Sequence, residues 1–150
     1  MFSTSRIRIT KEFSFEMSHL LRTHQGACKN IHGHSYRLFV TLLGTPNTEE
    51  NSPELGMVMD FGNLKRLIHK SIIEVYDHAL VVSEKAYHDS FLENYNGKII
   101  IKNFEPTCEN LIIDFALTLK NQLPTNVKLH SLKLHETFTS FCEWHSDDNE

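Results

Sequence analysis

Two stretches of alternating apolar and polar residues, joined by a polar loop, most restrict the folds open to this chain. In residues 7–19 the apolar side chains share one parity, interrupted by Lys11, and the series ends on His19. Residues 32–43 alternate again, and His32 and His34 share the parity of the apolar residues that follow them. Because side chains two positions apart in a strand lie on the same side, each stretch is predicted to be a strand with one apolar face.

The three histidines on these faces form a candidate metal site. His32 and His34 begin one strand with their imidazoles converging, and His19 ends the other. If the strands pair as a hairpin, the loop of residues 20–31 places all three at one end of the sheet. Three neutral imidazoles with an open fourth position are typical of catalytic zinc, and the open position lets the metal polarise a substrate oxygen. The alternative is that each histidine is an unconnected surface residue.

Cys28 lies in the intervening loop, four residues before His32. A thiol near a cation loses its proton more easily, so Cys28 is a candidate thiolate base or nucleophile. A closed, structural zinc site with Cys28 as the fourth ligand remains possible. The other cysteines, Cys108 in the first turn of a predicted helix and Cys142 in a predicted strand, are expected to serve packing.

Two further sites carry carboxylates. Asp77 precedes His78, and a carboxylate beside an imidazole can orient or charge it. The sequence alone favours a simpler interpretation, in which His78 interacts with the dipole at a helix C-terminus. Glu136 follows Leu132 and Leu134 on one strand face, where a carboxylate needs a strong partner. Two adjacent N–H donors, as on a guanine-like or pterin ring, would suit it, and exposure to water is the alternative.

The order of elements predicts an α+β domain. Strands over 7–19 and 32–43 are followed by helices capped by Asp60 and Thr107 and by strands over 127–136 and 139–144, with a possible short strand at 99–101. This order suits a four-stranded antiparallel sheet with two helices on one face. The chain has no internal repeat or domain boundary, so residues 1–150 are predicted to form one domain.

Bulk properties exclude several classes of partner. The formal net charge of −4 argues against a nucleic-acid-binding protein. No apolar run approaches the ~20 residues that span a bilayer, so no membrane association is expected. Three cysteines in no framework spacing argue against a disulfide scaffold and for a reducing cytoplasm.

Several segments together resemble one enzyme family, the 6-pyruvoyl-tetrahydropterin synthases and 6-carboxytetrahydropterin synthases. The segments are residues 13–19 (FSFEMSH), 28–36 (CKNIHGHSY), 59–65 (MDFGNLK), 77–78 (DH), 106–110 (PTCEN) and 135–137 (HET). The resemblance spans nearly the whole chain. The three-residue gap between Cys28 and His32 and the pair Asp60-Phe61 look like the bacterial 6-carboxy branch, since the animal 6-pyruvoyl branch has a longer gap.

The resemblance implies a tunnelling fold, in which three subunits close their sheets into a barrel and two barrels stack as a hexamer. It implies a site, shared across subunit contacts, with the following residues. Zinc is expected on His19, His32 and His34, catalytic groups at Cys28, Asp77 and His78, and substrate-binding groups at Glu136 and Thr107.

The implied substrate is 7,8-dihydroneopterin triphosphate, for whose phosphates Arg22, His24 and Lys29 are the nearest cations. The carboxy branch releases triphosphate and acetaldehyde. The alternatives are a 6-pyruvoyl product without carbon–carbon cleavage and a zinc- or pterin-binding protein without turnover. A zinc hydrolase is disfavoured, because no glutamate is spaced to activate water near the paired histidines. Two features depart from the family pattern: Cys108 replaces a small or hydroxyl residue, and residues 83–103 are longer than in the shortest bacterial members.

Overall fold

A computed structural model describes residues 4–89 and 91–150, and its main feature is a six-stranded mixed sheet in the order β4-β3-β1-β2-β5-β6. The strands are β1 Ile7–His19, β2 His32–Gly44, β3 Ala79–Ser83, β4 Ile99–Lys102, β5 Val127–His135 and β6 Phe141–His145. β1 and β2 pair antiparallel along their whole length, from Ile7 opposite Gly44 to His19 opposite His32. The predicted hairpin is therefore confirmed, with β2 one residue longer than predicted.

The helices are α1 Phe61–Ile68, α2 Glu74–Tyr76, α3 Glu84–His88 and α4 Cys108–Lys120. Both predicted N-caps are correct: the Asp60 carboxylate accepts a hydrogen bond from Asn63 N, and the Thr107 hydroxyl accepts one from Asn110 N. The first helix differs from the prediction, because a π-helical turn, His69–Ile73, separates α1 from α2. None of the helices in the described ranges is long and apolar enough to span a bilayer.

The α+β class is confirmed, and the four predicted antiparallel strands form the β1-β2-β5-β6 part of the sheet. The possible short strand at 99–101 is confirmed as β4, but the sequence predicted neither β3 nor the parallel extension of the sheet by β3 and β4 beyond β1. All five residues of β3 are buried. A strand buried on both faces is a continuous apolar run without alternation, so its periodicity does not separate it from the end of a helix.

The main core lies between α1, α4 and one face of the sheet. Its largest fully buried side chains include Tyr36 and Leu38 of β2 and Phe115 of α4. A second, smaller cluster joins Leu80 and Val82 of β3 to Leu20 and residues near α3. The two predicted helices therefore share one face, and α3 belongs to the second cluster.

Candidate metal centre and surrounding site

His19 and His32 face each other at the open end of the β1–β2 hairpin. They are Cα partners in the last pair of the register, and their Nε2 atoms lie 3.0 Å apart. His19 is fully buried and His32 is half-buried. The strand pairing alone brings these rings together, as the shared parity predicted.

Backbone carbonyls fix which nitrogen of each ring is available. His19 Nδ1 lies 2.7 Å from the carbonyl oxygen of Pro106, and His32 Nδ1 lies 2.7 Å from that of Asn30. A carbonyl can only accept a hydrogen bond, so both Nδ1 atoms must carry the proton and donate it. Each neutral ring then presents an unprotonated Nε2. Metal-binding histidines in proteins are commonly held in this way.

His34 completes the group. It lies opposite Met17 in the hairpin, and its Nε2 is buried without a hydrogen-bond partner among the described residues. One ligand atom from each of His19, His32 and His34 lies within 4.8 Å of the others, and Cys28 does not join this group.

The environment of the three rings suits a cation. Burial lowers the pKa of both His19 and His34, which favours the neutral imidazole that ligates metals. Two unprotonated nitrogens 3.0 Å apart repel each other unless a proton or cation lies between them. An unpartnered buried nitrogen is also costly. A metal ion bound by all three Nε2 atoms would relieve both costs.

Glu136 lies against the histidines. Its Oε1 is 3.6 Å from His19 Nε2 and 3.7 Å from His34 Nε2, and its side chain is 28% exposed. The residue follows β5, where its backbone N–H donates to the carbonyl of Ser140. The carboxylate is therefore part of the same site and is not a solvent-exposed strand end.

Thr107 has a structural role that the sequence also predicted. Its hydroxyl caps α4, and its backbone N–H donates to the Glu105 carbonyl at 2.8 Å. It lies one residue after Pro106, whose carbonyl holds His19. The segment thus links the start of α4 to the metal centre.

Tyr36 was missed as a site residue, although the sequence placed it on the same strand face as His34. Its ring centroid lies 5.6 Å from that of His34, and its hydroxyl is buried without a hydrogen-bond partner in the described part of the chain. Burial, and then the nearby Glu136 carboxylate, raise the pKa of Tyr36. The hydroxyl therefore stays protonated and can donate.

Cys28 occupies a 3-10 turn, Ala27–Lys29, in the loop between β1 and β2. Its carbonyl accepts a hydrogen bond from Leu21 N at 2.9 Å, which ties the turn to the end of β1. The side chain is a half-buried free thiol. Its position outside the group of three ligand atoms favours an open metal site over the closed alternative.

Asp77 and His78 form a turn that is fastened to β1. Asp77 Oδ1 accepts a hydrogen bond from Glu16 N, and His78 N donates to Glu16 O at 2.6 Å. The second Asp77 oxygen lies 2.9 Å from His78 Nδ1. The Lys98 ammonium, and not His78, bonds the carbonyls at the end of α2. The hydrogen bonds at this helix end therefore come from Lys98, and the interaction of His78 with the helix dipole stays a prediction.

The backbone at His78 is unusual. Its φ of 61° is the only positive value at a non-glycine residue in the described ranges, and this conformation is strained for a residue with a side chain. The Glu16 N–H, and then the His78 ring, lower the pKa of Asp77. The turn therefore holds a carboxylate against an imidazole that is 77% exposed.

An open cleft of about 300 Å³ is lined by residues of β1 and β2 and by His78, directly before β3. His34 and His78 both line it, together with Glu16 and Ser18 of β1 and Ser35 of β2. A molecule in this cleft could contact His34 and His78, whereas Glu16, Ser18 and Ser35 lie on the strand face opposite to the three histidine rings.

The whole arrangement lies within a recognised domain. Residues 8–147 match the family model described as 6-pyruvoyl tetrahydropterin synthase. The chain belongs to the 6-pyruvoyl tetrahydropterin synthase family. The family match includes every predicted site residue, so the resemblance drawn from the sequence motifs is confirmed.

Named relatives within the family are similar over most of their length. The chain is 36% identical over 141 residues to 6-carboxy-5,6,7,8-tetrahydropterin synthase of Haemophilus influenzae, covering 91% of this chain and 97% of the relative. It is 34% identical over 145 residues to the protein of that name from Rickettsia typhi, covering 91% and 99%. Both matches support an enzyme of this family.

Solved structures support the fold. A 6-pyruvoyl tetrahydropterin synthase from Caenorhabditis elegans superposes with a TM-score of 0.67 at 23% identity, covering 97% of this chain and 99% of the other. The enzyme of that name from Plasmodium falciparum gives 0.71 at 18% identity, covering 95% and 98%. An uncharacterised protein from Wolinella succinogenes gives 0.73 at 20% identity, covering 95% and 99%.

Proposed function

We propose that this chain is a zinc-dependent 6-carboxy-5,6,7,8-tetrahydropterin synthase. It would convert 7,8-dihydroneopterin triphosphate to the 6-carboxy product with release of triphosphate and acetaldehyde. The observation that carries the proposal is the convergence of His19, His32 and His34 beside Glu136, with two tautomers fixed by backbone carbonyls. The names of the relatives from Haemophilus influenzae and Rickettsia typhi support the reaction.

The Nε2 atoms of the three histidines would hold zinc, since neutral imidazoles in a three-residue set fit this ion. When bound, zinc supplies Lewis-acid polarisation of oxygen atoms on the substrate side chain. The carbonyls of Pro106 and Asn30 keep the rings of His19 and His32 in the ligating tautomer. These hydrogen bonds would hold the site in the same geometry before and after substrate binds.

Glu136 would anchor the pterin ring. A carboxylate accepts two parallel hydrogen bonds from adjacent N–H groups, which the pyrimidine edge of a pterin presents. The start of α4 at Thr107 would form the neighbouring wall. The Tyr36 hydroxyl lies beside the same carboxylate and stays protonated, so it can donate a hydrogen bond to Glu136 or to the ring.

Cys28 and the Asp77–His78 turn would transfer protons. As a thiolate, Cys28 would remove a proton from the substrate side chain. Asp77 orients His78 through Nδ1, which leaves the other ring nitrogen free to give or accept a proton. Two proton-transfer groups, one on the loop after β1 and one on the turn before β3, fit a reaction in which carbon–hydrogen bonds break and re-form.

The triphosphate would lie near the loop after β1. A cleft of about 430 Å³ there is lined by Arg22 and Lys29 among apolar residues. Arg22 Nε also lies 2.6 Å from the Asp89 carboxylate, which neutralises part of its charge. Lys29 is therefore the better candidate for phosphate. Because three cysteines in no framework spacing argue against a disulfide scaffold, we place the reaction in a reducing compartment, the cytoplasm.

The test is direct incubation with 7,8-dihydroneopterin triphosphate after loading with zinc. Acetaldehyde is measured by a coupled dehydrogenase assay, and the pterin product by chromatography and mass. Acetaldehyde and 6-carboxytetrahydropterin in equal amounts support the proposal. Triphosphate release with a 6-pyruvoyl product and no acetaldehyde would replace it with the second enzymatic function. Tight pterin binding without any product would indicate a binding protein.

A further inference from the structure

Two cysteines outside the proposed chemistry lie in contact. Cys108 is the first residue of α4, and Cys142 lies in β6 opposite Leu134 of β5. Their Sγ atoms are 3.0 Å apart, about 1 Å more than the bond length of a disulfide. Most of the approach needed to form that bond is therefore already present in the folded chain.

The surroundings make the two sulfurs unequal. Cys108 is 8% exposed and its Sγ also lies 3.4 Å from the Leu134 carbonyl, whereas Cys142 is half-buried. The hydrogen bond from the Cys108 thiol lowers the pKa of Cys142, and the same contact together with burial raises the pKa of Cys108. Cys142 is thus both the more accessible sulfur and the one that ionises first.

We propose that Cys108 and Cys142 are a redox modification site that forms a reversible intramolecular disulfide between α4 and β6. The oxidant is a low-molecular-weight disulfide of the glutathione class. The Cys142 thiolate attacks one sulfur of that disulfide and displaces one small thiolate. Cys108 then loses its proton and attacks Cys142 Sγ, displacing the second. Two protein thiols become one disulfide, and the small disulfide is reduced to two thiols.

The bond would join segments that are distant in sequence at the edge of the candidate site. Cys108 directly follows Thr107, and both sulfurs are close enough to Glu136 for its charge to influence their pKa values. The crosslink would close a loop that includes most of α4 and all of β5, and closing a loop of this size stabilises the folded state. We therefore expect the oxidised protein to melt several degrees higher than the reduced protein.

The experiment equilibrates the purified full chain in glutathione buffers from reducing to oxidising, then blocks free thiols with iodoacetamide in denaturant. In reducing buffer all three cysteines should be alkylated. In oxidising buffer two cysteines should escape alkylation. The intact mass should fall by two hydrogens, and digestion should yield a peptide that links Cys108 to Cys142. Dithiothreitol should restore three alkylation sites and the lower Tm.

Matched variants keep the proposal falsifiable. Cys28→Ser should still form the crosslink and show the Tm shift, since it retains both partners. Cys108→Ser and Cys142→Ser should each lose both. If wild-type protein keeps three alkylatable thiols, carries only a glutathione adduct, or crosslinks through Cys28 under oxidising conditions, the proposal is wrong. That result does not depend on whether the variants fold.

Discussion

His19 Nε2 lies 3.0 Å from His32 Nε2, while the Nδ1 atom of each ring bonds a backbone carbonyl. Two ring nitrogens held this way face each other as lone pairs, an arrangement that is unfavourable without a shared cation. The pairing of the two strands brings the rings of His19 and His32 together. The two backbone carbonyls hold both rings in the tautomer that can bind a metal. This arrangement makes the metal the first property to test.

Replacing His32 with Ala should remove most of the bound zinc. One of three protein ligands is lost, so the affinity should fall by more than the ~10–100-fold that loss of an outer hydrogen-bonding partner costs. Metal content is measured by elemental analysis after dialysis, alongside turnover. His88→Ala, an exposed histidine at the end of α3, is the matched control and should retain metal. Stoichiometric zinc in the His32 variant would overturn the assignment.

Replacing Cys28 with Ala should abolish turnover and leave the metal in place. The reason is geometric, since the thiol does not belong to the group of three ligand atoms. Zinc content and acetaldehyde release are measured on the same sample. Loss of zinc would make Cys28 a ligand of a closed site, and full activity would remove it from the chemistry. Cys142→Ala, a thiol outside the proposed mechanism, serves as the comparison.

Two substitutions of His78 can distinguish the backbone strain at this residue from the chemical role of its imidazole. At φ 61° a residue with a Cβ is strained and glycine is not. His78→Gly should therefore be more stable than His78→Ala by about 1 kcal/mol, measured by urea unfolding. Both variants should lose turnover to the same extent, because both lack the imidazole. Equal stability would mean that the strain is relieved elsewhere, and retained activity would exclude His78 from the reaction.

Glu136 lies close to two of the histidines, so both pterin binding and zinc content must be measured in its variant. Replacing it with Gln should weaken pterin binding by roughly 1–3 kcal/mol, because an amide sets a donor against the N–H groups of the ring. Binding is measured by calorimetry with a non-reactive pterin, and zinc by elemental analysis. Unchanged zinc with weakened binding fits the anchor. Lost zinc would instead make Glu136 a ligand, and unchanged pterin affinity would place the ring elsewhere.

The ends of the sheet lead to a prediction about assembly. In the described ranges β4 pairs only with β3, and β6 only with β5, and unpaired edge strands readily pair with other chains. We expect the edges of three chains to join into a barrel, giving a trimer-based particle, most simply a hexamer. Light scattering coupled to size-exclusion chromatography measures the mass. A fully active monomer would contradict an active site shared between subunits.

The sequence by itself determined the parts of the site that follow from local periodicity. Alternation placed His19, His32 and His34 on one face of paired strands, and the caps at Asp60 and Thr107 fixed where two helices begin. These features depend on residues a few positions apart, whose side-chain directions are set by the backbone repeat. The family motifs then added the catalytic and substrate-binding residues that periodicity could not distinguish from surface groups.

Tertiary structure decided what depends on contacts between distant residues. The Pro106 carbonyl that fixes the His19 tautomer is 87 residues away in sequence, and no local pattern specifies such a partner. The approach of Glu136 to the histidines and the burial of Tyr36 arise in the same way, from the packing of β5 and α4 against the hairpin. β3 could not be predicted from the sequence, because a strand buried on both faces has no alternation of apolar and polar residues. Only its position between β1 and β4 identifies it as a strand.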